Sequence, residues 1–350
     1  MKILVTGGAG FIGSALIRYL INELKYEVLC LDKVSYASDL NSLEDVKENK
    51  LFTLKIQDIC IESKVLDILN EFRPQIIVNL AAETHVDRSI DDPEAFVKSN
   101  IIGTFSMLQA SLKFWLSLKN SAKKGFRFHH VSTDEVFGDL ERNESPFSEL
   151  TPYDPSSPYS ASKASSDHLV RSWHRTYGLP VLISNCSNNY GPFQFTEKLI
   201  PLVITKALKG EPLPIYGKGD QIRDWLFVED HVKALVDIFL NGEIGESYNV
   251  GGNCEKTNLE VVKEICKVLD DLVTNQSVSF LKHEELIKFV EDRPGHDQRY
   301  AIDSSKVQRE LNWSPEESFK TGIKKTVKWY FENRKNLNYS SDRLGLGVKN

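Results

Sequence analysis

The sequence predicts an α/β fold: a doubly wound, mostly parallel sheet followed by a smaller mixed C-terminal domain. Three observations carry that expectation. Short apolar runs alternate with longer amphipathic ones through the first half. A glycine-rich turn, Gly7-Gly8-Ala9-Gly10-Phe11-Ile12-Gly13, joins the first strand pattern to the first helix pattern. Beyond residue 190, prolines at 192, 201, 212 and 214 break the rhythm into shorter pieces.

Strands are expected over 2–5, 28–31, 52–56, 76–80 and 126–131. Several are apolar at consecutive positions, as strands buried on both faces must be. Helical spacing of apolar residues recurs near 11–24, 61–71 and 93–118. Such alternation argues for parallel strands joined by right-handed crossovers. Residues 120–124 are polar and read as a connector. A long helix over 156–178 and a strand over 181–185 complete the first unit, residues 1–190. Further helices are expected near 229–240, 258–272 and 316–334, in a second unit, 191–335, interleaved with the first. Some late segments are expected to rejoin the sheet. The polar stretch 336–350 reads as a peripheral tail, and no internal repeat is visible.

The 350 residues suffice for about two domains. Hydrophobic residues make up 41% and charged residues 26%, an ordinary globular composition. A formal charge of −6 gives no support to a nucleic-acid partner. The five cysteines are odd in number and form no CxxC pair, which fits a reducing compartment. The chain opens directly on a strand pattern, without the features of a leader. No apolar run approaches the 18 or so residues of a membrane span, so a soluble cytoplasmic protein is expected.

The glycines at 7, 10 and 13 follow a strand pattern and open a helix pattern. A tight turn requires glycine's backbone freedom, and close approach to a pyrophosphate leaves no room for side chains. A helix N-terminus also favours negative charge. This is a Rossmann-like dinucleotide arrangement. Asp32 ends the second strand pattern, 19 residues after Gly13. A carboxylate there accepts from ribose hydroxyls and repels a 2′-phosphate, so NAD is expected over NADP. Asp58 and Ile59 follow the third strand pattern, where an adenine can sit.

Tyr159-Ser160-Ala161-Ser162-Lys163 puts a tyrosine and a lysine on one helix face. A phenol with a pKa of about 10 is a poor base, but nearby positive charge favours the phenolate that can take an alcohol proton. The segment Val131-Ser132-Thr133-Asp134-Glu135-Val136-Phe137-Gly138 ends the fifth strand pattern, where open α/β sheets bind ligands. It sets two carboxylates beside a hydroxyl. Simple alcohol oxidation needs no carboxylate pair. Elimination of water does, because one group removes a C–H proton and another protonates the departing hydroxyl.

Together these motifs resemble the extended short-chain dehydrogenase/reductase family. Thr133-Asp134-Glu135 resembles the signature of its nucleotide-sugar 4,6-dehydratases. Residues 80–90, 185–192, 197–201, 221–225 and 292–297 are similar to that branch too, and the likeness runs to about residue 330. Departures are mild: Phe137 and Thr84 stand where the branch often has tyrosine and serine. The resemblance implies dTDP-glucose as substrate, a homodimer, and NAD held tightly and regenerated in each cycle. It implies oxidation at C4, loss of water across C5 and C6, and hydride return to C6. Tyr159 would take the C4 hydroxyl proton, helped by Thr133 and Lys163. Glu135 would be the base and Asp134 the acid. Beyond Gly7, Gly10, Gly13, Asp32, Asp58, Ile59, Tyr159 and Lys163, the implied cofactor contacts are Phe11, Ile12, Lys33, Leu80, Ala81, Ala82, Thr84, Ser99 and Asn189. The substrate diphosphate needs cations, and Arg223, Arg293 and Lys198 are the candidates. Thr84, Thr133, Asn188, Leu199, Pro214, Ile215, Tyr216, Asn258, Asp292, Pro294, Gly295 and His296 are the other implied substrate residues. His85 and His296 have no partner at metal-ligand spacing, so no metal is expected.

The nearest alternative is a UDP-hexose 4-epimerase or UDP-glucuronate decarboxylase. These share the glycine turn and the Tyr–Lys pair but do not need the carboxylate pair. The nucleotide base is left open by the residues themselves, since one methyl is worth only about 1–3 kcal/mol. UDP-glucose therefore stands beside dTDP-glucose. A catalytically silent NAD-binding regulator has no need of an acid, a base and a tyrosine, and all three are present.

Overall fold

The computed structural model describes residues 1–274, 282–293 and 295–334. Its first six strands are β1 (Lys2–Thr6), β2 (Glu27–Asp32), β3 (Phe52–Ile56), β4 (Ile76–Asn79), β5 (Arg127–Thr133) and β6 (Val181–Cys186). Then come β7 (Asn188–Tyr190), β8 (Leu213–Tyr216), β9 (Ile222–Phe227), β10 (Ser247–Val250), β11 (Glu255–Thr257) and β12 (Ile287–Val290). The main sheet has the order β10-β6-β5-β4-β1-β2-β3 and is parallel throughout. The chain reverses its direction of travel between β1 and β4. That switch point opens a crevice at the C-terminal strand ends.

Alternate strand residues supply two cores. Ile3, Val5, Val28 and Val78 pack against Leu16, Leu20, Leu235 and Phe239 of helices Phe11–Asn22 and Val228–Asn241. Leu4, Leu29 and Ile77 face Leu69, Met107, Phe114 and Val170 of helices Glu62–Phe72, Gly103–Ser117 and Pro158–Tyr177. β4 and β6 are buried at every position, as the consecutive apolar runs require. Each fully buried Leu, Ile or Val contributes about 1.5–3 kcal/mol relative to exposure.

The later chain forms a three-stranded sheet, β11-β9-β7, and a two-stranded one, β12-β8. Helices Leu199–Lys209, Asn258–Thr274 and Phe319–Asn333 cover them through a third core around Val203, Ile265 and Ile323.

Two expectations are corrected. Residues 120–124 are no mere connector: helix Asn120–Gly125 occupies them, since nothing in that stretch breaks a helix before Gly125. The single helix expected over 93–118 is three pieces: Pro93–Phe96, a π-helical turn Val97–Ile102, and Gly103–Ser117. The wider turn directs Asn100 inward. Asn100 brackets the Glu83 backbone, accepting from its N–H at 2.8 Å and donating to its carbonyl at 3.0 Å.

Candidate active site

The glycine turn is built for close approach. Gly7 has φ +65°, and a Cβ there would stand 2.8 Å from the Ala81 backbone. At Gly13 a Cβ would lie 2.2 Å from the Gly7 carbonyl oxygen. Helix Phe11–Asn22 has no side-chain cap at Gly10, so its first N–H groups are left for a ligand. Gly7, Gly10, Phe11, Ile12 and Gly13 line a long cleft, with Asp32 beside them at the end of β2. The Asp32 carboxylate already accepts from Ala9 N at 2.9 Å, Val34 N at 2.7 Å and the Ser38 hydroxyl at 3.1 Å. Those bonds fix its orientation and leave acceptor capacity for a ribose. Asp58, Ile59, Leu80, Ala81, Ala82, Thr84, Ser99 and Asn189 line the same cleft. So does Lys33, which donates to Glu83 at 2.8 Å and to the Ser99 hydroxyl at 3.0 Å. A bare glycine cradle, an uncapped helix start and an oriented ribose carboxylate together fit a dinucleotide without a 2′-phosphate.

The reactive end of the cleft is made by β5 and helix Pro158–Tyr177, and Thr133, Asp134, Glu135, Tyr159 and Lys163 all line it. Thr133 closes β5 and accepts from Glu135 N at 3.3 Å, which turns the chain so that the two carboxylates follow at once. Lys163 is buried and donates to the Val131 carbonyl at 2.8 Å. Tyr159 is buried, and burial followed by Glu135 holds its phenol well above the ordinary value. Asp134 is 1% exposed, and its Oδ2 has no hydrogen-bond partner among the described residues. Burial, then the negative charges of Glu135 and Asp224, holds the Asp134 carboxyl well above its ordinary value. Glu135 is raised by burial as well, but Lys198, Arg223 and Arg293 pull it down. Both carboxyls are thus shifted toward the acid form, Asp134 strongly and Glu135 less so, because three cations oppose the burial of Glu135.

A second cavity adjoins the first. Glu135, Asn188, Asn189, Gln194 and Lys198 line both, so the Glu135 carboxylate stands at the junction. Leu199, Pro214, Ile215, Tyr216, Arg223, Asn258, Arg293 and His296 line the second cavity. Arg223 is steered by the Ile222 carbonyl at 2.7 Å, the Asp297 carbonyl at 3.0 Å and the Tyr300 ring, 4.3 Å from its guanidinium. Arg293 has its Nε 3.6 Å from Asp87 and a buried Nη1 that meets no acceptor among the described residues. An orphaned guanidinium donor beside a second arginine and Lys198 fits a diphosphate.

Two expected substrate residues stand elsewhere. Asp292 does not line the cavity. It props it instead, accepting from Gln221 at 2.8 Å, while its other oxygen is 2.6 Å from His296 Nδ1. Gly295 is exposed and outside the lining, because the turn at φ +60° carries it outward. Pro294 lies outside the described residues. Among the described residues no cluster of three metal-ligating side chains occurs. His85 instead sits 3.6 Å from Glu197, its pKa lowered to about 3 by burial and by Lys198 and Arg88.

Sequence reasoning missed a clasp over the cleft. Arg88 donates from Nε and Nη2 to both Glu197 oxygens, at 3.0 and 2.5 Å. Its guanidinium lies 3.8 Å over the Tyr36 ring, and Tyr36 meets Phe195 edge-on at 5.7 Å. The loop after β2 and the short helix Val86–Asp91 that follows β4 are thereby tied to the loop preceding helix Leu199–Lys209. Arg88 and Glu197 fell inside segments valued for resemblance, and no local spacing pairs them. Tyr300 beside Arg223 was also missed, since nothing near it in sequence signals a site.

A family model described as GDP-mannose 4,6 dehydratase matches residues 4–326. The dTDP-glucose 4,6-dehydratase of Neisseria meningitidis serogroup B is 52% identical over 352 residues, covering 99% of this chain and 99% of that protein. A crystal structure of dTDP-glucose 4,6-dehydratase from Bacillus anthracis in complex with NAD superposes with a TM-score of 0.84 at 40% identity, over 96% of this chain and 98% of that one. The Streptomyces venezuelae dTDP-glucose 4,6-dehydratase with NAD and TYD bound gives a TM-score of 0.86 at 39% identity, with the same coverage. Glycine cradle, Tyr–Lys helix and carboxylate pair all lie within the matched span, and the chain belongs to the dTDP-glucose 4,6-dehydratase family.

Proposed function

We propose that the protein is an NAD-dependent hydro-lyase that converts dTDP-glucose to dTDP-4-keto-6-deoxyglucose. The observation that carries this reading is the Asp134–Glu135 pair. Its carboxyls are both raised but unequally, Asp134 more than Glu135, and Glu135 lines both the dinucleotide and the nucleotide-sugar cavities. An epimerase has no use for such a pair.

NAD, when bound, supplies the oxidant for C4, the reductant for C6 and a positive charge that favours the Tyr159 phenolate. Tyr159 takes the C4 hydroxyl proton, with Thr133 orienting that hydroxyl and Lys163 lowering the cost of the phenolate. The C4 ketone acidifies the C5 proton, which Glu135 removes and gives back to C5 when C6 is reduced. Asp134, whose burial favours the neutral carboxyl, gives its proton to the C6 hydroxyl, and water departs. Arg223, Arg293 and Lys198 hold the diphosphate, while Asn188, Leu199, Pro214, Ile215, Tyr216 and Asn258 enclose the nucleoside end.

Two finer readings accompany it. Ile102, Phe105 and Leu116 form an exposed stripe on the segment Val97–Ser117, and Phe105 meets Trp173 of the neighbouring helix edge-on at 5.8 Å. A second copy of the chain covering this two-helix face gives a homodimer. Five free cysteines fit a reducing cytoplasm.

The test is incubation of the purified protein, without added NAD, with dTDP-glucose or UDP-glucose. Loss of one water from dTDP-glucose is expected, and the ratio of rates sets the base preference. An epimerised sugar of unchanged mass would overturn the reading.

A further inference from the structure

The helix Pro158–Tyr177 carries more chemistry than its Tyr–Lys pair. Tyr159, Lys163, Asp167 and Arg171 follow one another at intervals of four residues, so all four share one face. Lys163 and Asp167 are both buried, at 4% and 0% exposure. A buried ammonium and a buried carboxylate one turn apart are each costly alone. They also converge on consecutive residues of β5: Lys163 donates to the Val131 carbonyl, and the Ser132 hydroxyl donates to Asp167 Oδ2 at 2.9 Å.

Asp167 is held as a carboxylate by more than its neighbour. Oδ2 also accepts from the Tyr153 hydroxyl at 2.8 Å and from Asn185 Nδ2 at 3.3 Å. Oδ1 has His130 Nε2 at 3.3 Å and no hydrogen bond to any described residue. Arg171 donates to the Tyr153 hydroxyl at 2.8 Å and to the Ser247 hydroxyl at 3.1 Å. The chain of contacts continues inward. Asn79 Nδ2 stands 3.0 Å from His130 Nδ1, and Asn79 Oδ1 accepts from the Thr6 hydroxyl at 2.8 Å. Thr6 in turn accepts from Leu80 N and Ala81 N, each at 3.1 Å, directly beneath the glycine turn. The network joins the floor of the cofactor cleft to the catalytic helix.

We infer that Asp167 is a positioning residue for the dehydration: it is the buried counter-charge that keeps Lys163 an ammonium, so that Lys163 can favour the Tyr159 phenolate. Burial pulls the Lys163 ammonium below its ordinary value, and Asp167 followed by Cys186 opposes that pull. Burial also pushes the Asp167 carboxyl up, but His130, Lys163 and Arg171 bring it below its ordinary value. The groups facing the pair are thus Tyr159 and Arg171 on the same helix, His130 on β5, Cys186 on β6 and Tyr153 from the loop before the helix. His130, lowered to about 4 by burial and then Lys163, is neutral at physiological pH and supplies no competing charge.

The inference rests on the dehydratase reading, and two measurements keep it separable. The first is the pH profile of kcat/KM for dTDP-glucose in Asp167→Asn. Lys163 and Asp167 lie one helix turn apart without a direct ion pair, and removing an opposite charge from such a buried position shifts a pKa by about 1 unit. The alkaline limb, set by loss of the Lys163 proton, is expected to move down by that amount, with each unit costing about tenfold in rate above the limb. In a Lys163→Met background the same change is expected to add little. A uniform loss at every pH, or an equal loss in the Lys163→Met background, would overturn the inference and leave Asp167 a structural residue. An inactive wild type would instead defeat the dehydratase reading. The second measurement needs no turnover. Asp167→Asn and Lys163→Met each strand one buried charge, whereas the double variant strands neither. Thermal unfolding should show the double variant more stable than either single one. Additive destabilisation would show that the two charges are not coupled and would overturn the inference.

Discussion

Asp134 and Glu135 are chain neighbours in unlike electrostatic surroundings, and their pKa directions have consequences for rate and for stability. Turnover needs Glu135 charged, so kcat/KM should fall as pH drops through its raised value, giving an acid limb above the ordinary 4.5. Glu135→Gln should remove that limb along with about 10²–10⁴-fold of the rate. A limb at or below 4.5 would deny Glu135 the role of base. Asp134 affects stability through the same shift. A carboxyl raised on folding contributes stability that is complete below the unfolded value near 3.8 and is lost as pH rises toward the folded one. Asp134→Asn does not titrate. Its thermal midpoint should therefore gain on wild type progressively above about pH 4, even though dehydration is lost. Midpoints that run parallel from pH 4 to 8 would show that the carboxyl is not raised. The pair was legible in the sequence, as were the Tyr–Lys spacing and the glycine cradle. The cations that hold Glu135 below the full effect of its burial were not readable as a group, because Lys198, Arg223 and Arg293 come from three distant segments.

At the scale of elements, the clasp ties segments that border the two cavities. Glu197 has only 4% of its side chain exposed, so Arg88→Ala leaves a buried carboxylate without its bidentate partner. Such a loss costs about 3–5 kcal/mol in well-buried pairs, and here part of it should appear as a looser loop. We expect bound NAD to leave at least about tenfold faster, the equivalent of ~1.4 kcal/mol. Desalting followed by quantification of retained cofactor checks this, and unchanged retention would remove the clasp's role. The long first-half elements were visible in the sequence because each carries a full period of apolar positions. β7, β8, β9, β11 and β12 were not, at three to six residues apiece. Nor was helix Leu199–Lys209, whose apolar residues read as another proline-broken piece.

Over the whole molecule, the exposed stripe makes the homodimer testable. Replacing both Ile102 and Phe105 with Glu should convert a dimer to a monomer in light scattering after size exclusion, since paired charges in an apolar interface are costly to desolvate. A wild-type monomer, or a double variant that stays dimeric, would rule out this face. The main sheet recruits β10 from far along the chain onto β6, so residues 247–250 complete the layer begun by residues 2–6.

By itself the sequence determined what local periodicity and short motifs can encode. Those are the alternating strands and helices, the dinucleotide turn, the ribose carboxylate, the Tyr–Lys helix and the acid–base pair, each written within a few residues. Only the tertiary structure decided which residues from distant segments meet: the arginines beside Glu135, Arg88 on Glu197, Asp292 behind the cavity wall, and His130 against Asp167. The physical reason is that burial and charge pairing depend on through-space distance. Parallel crossovers bring together residues dozens to more than a hundred positions apart, and no local pattern records their meeting.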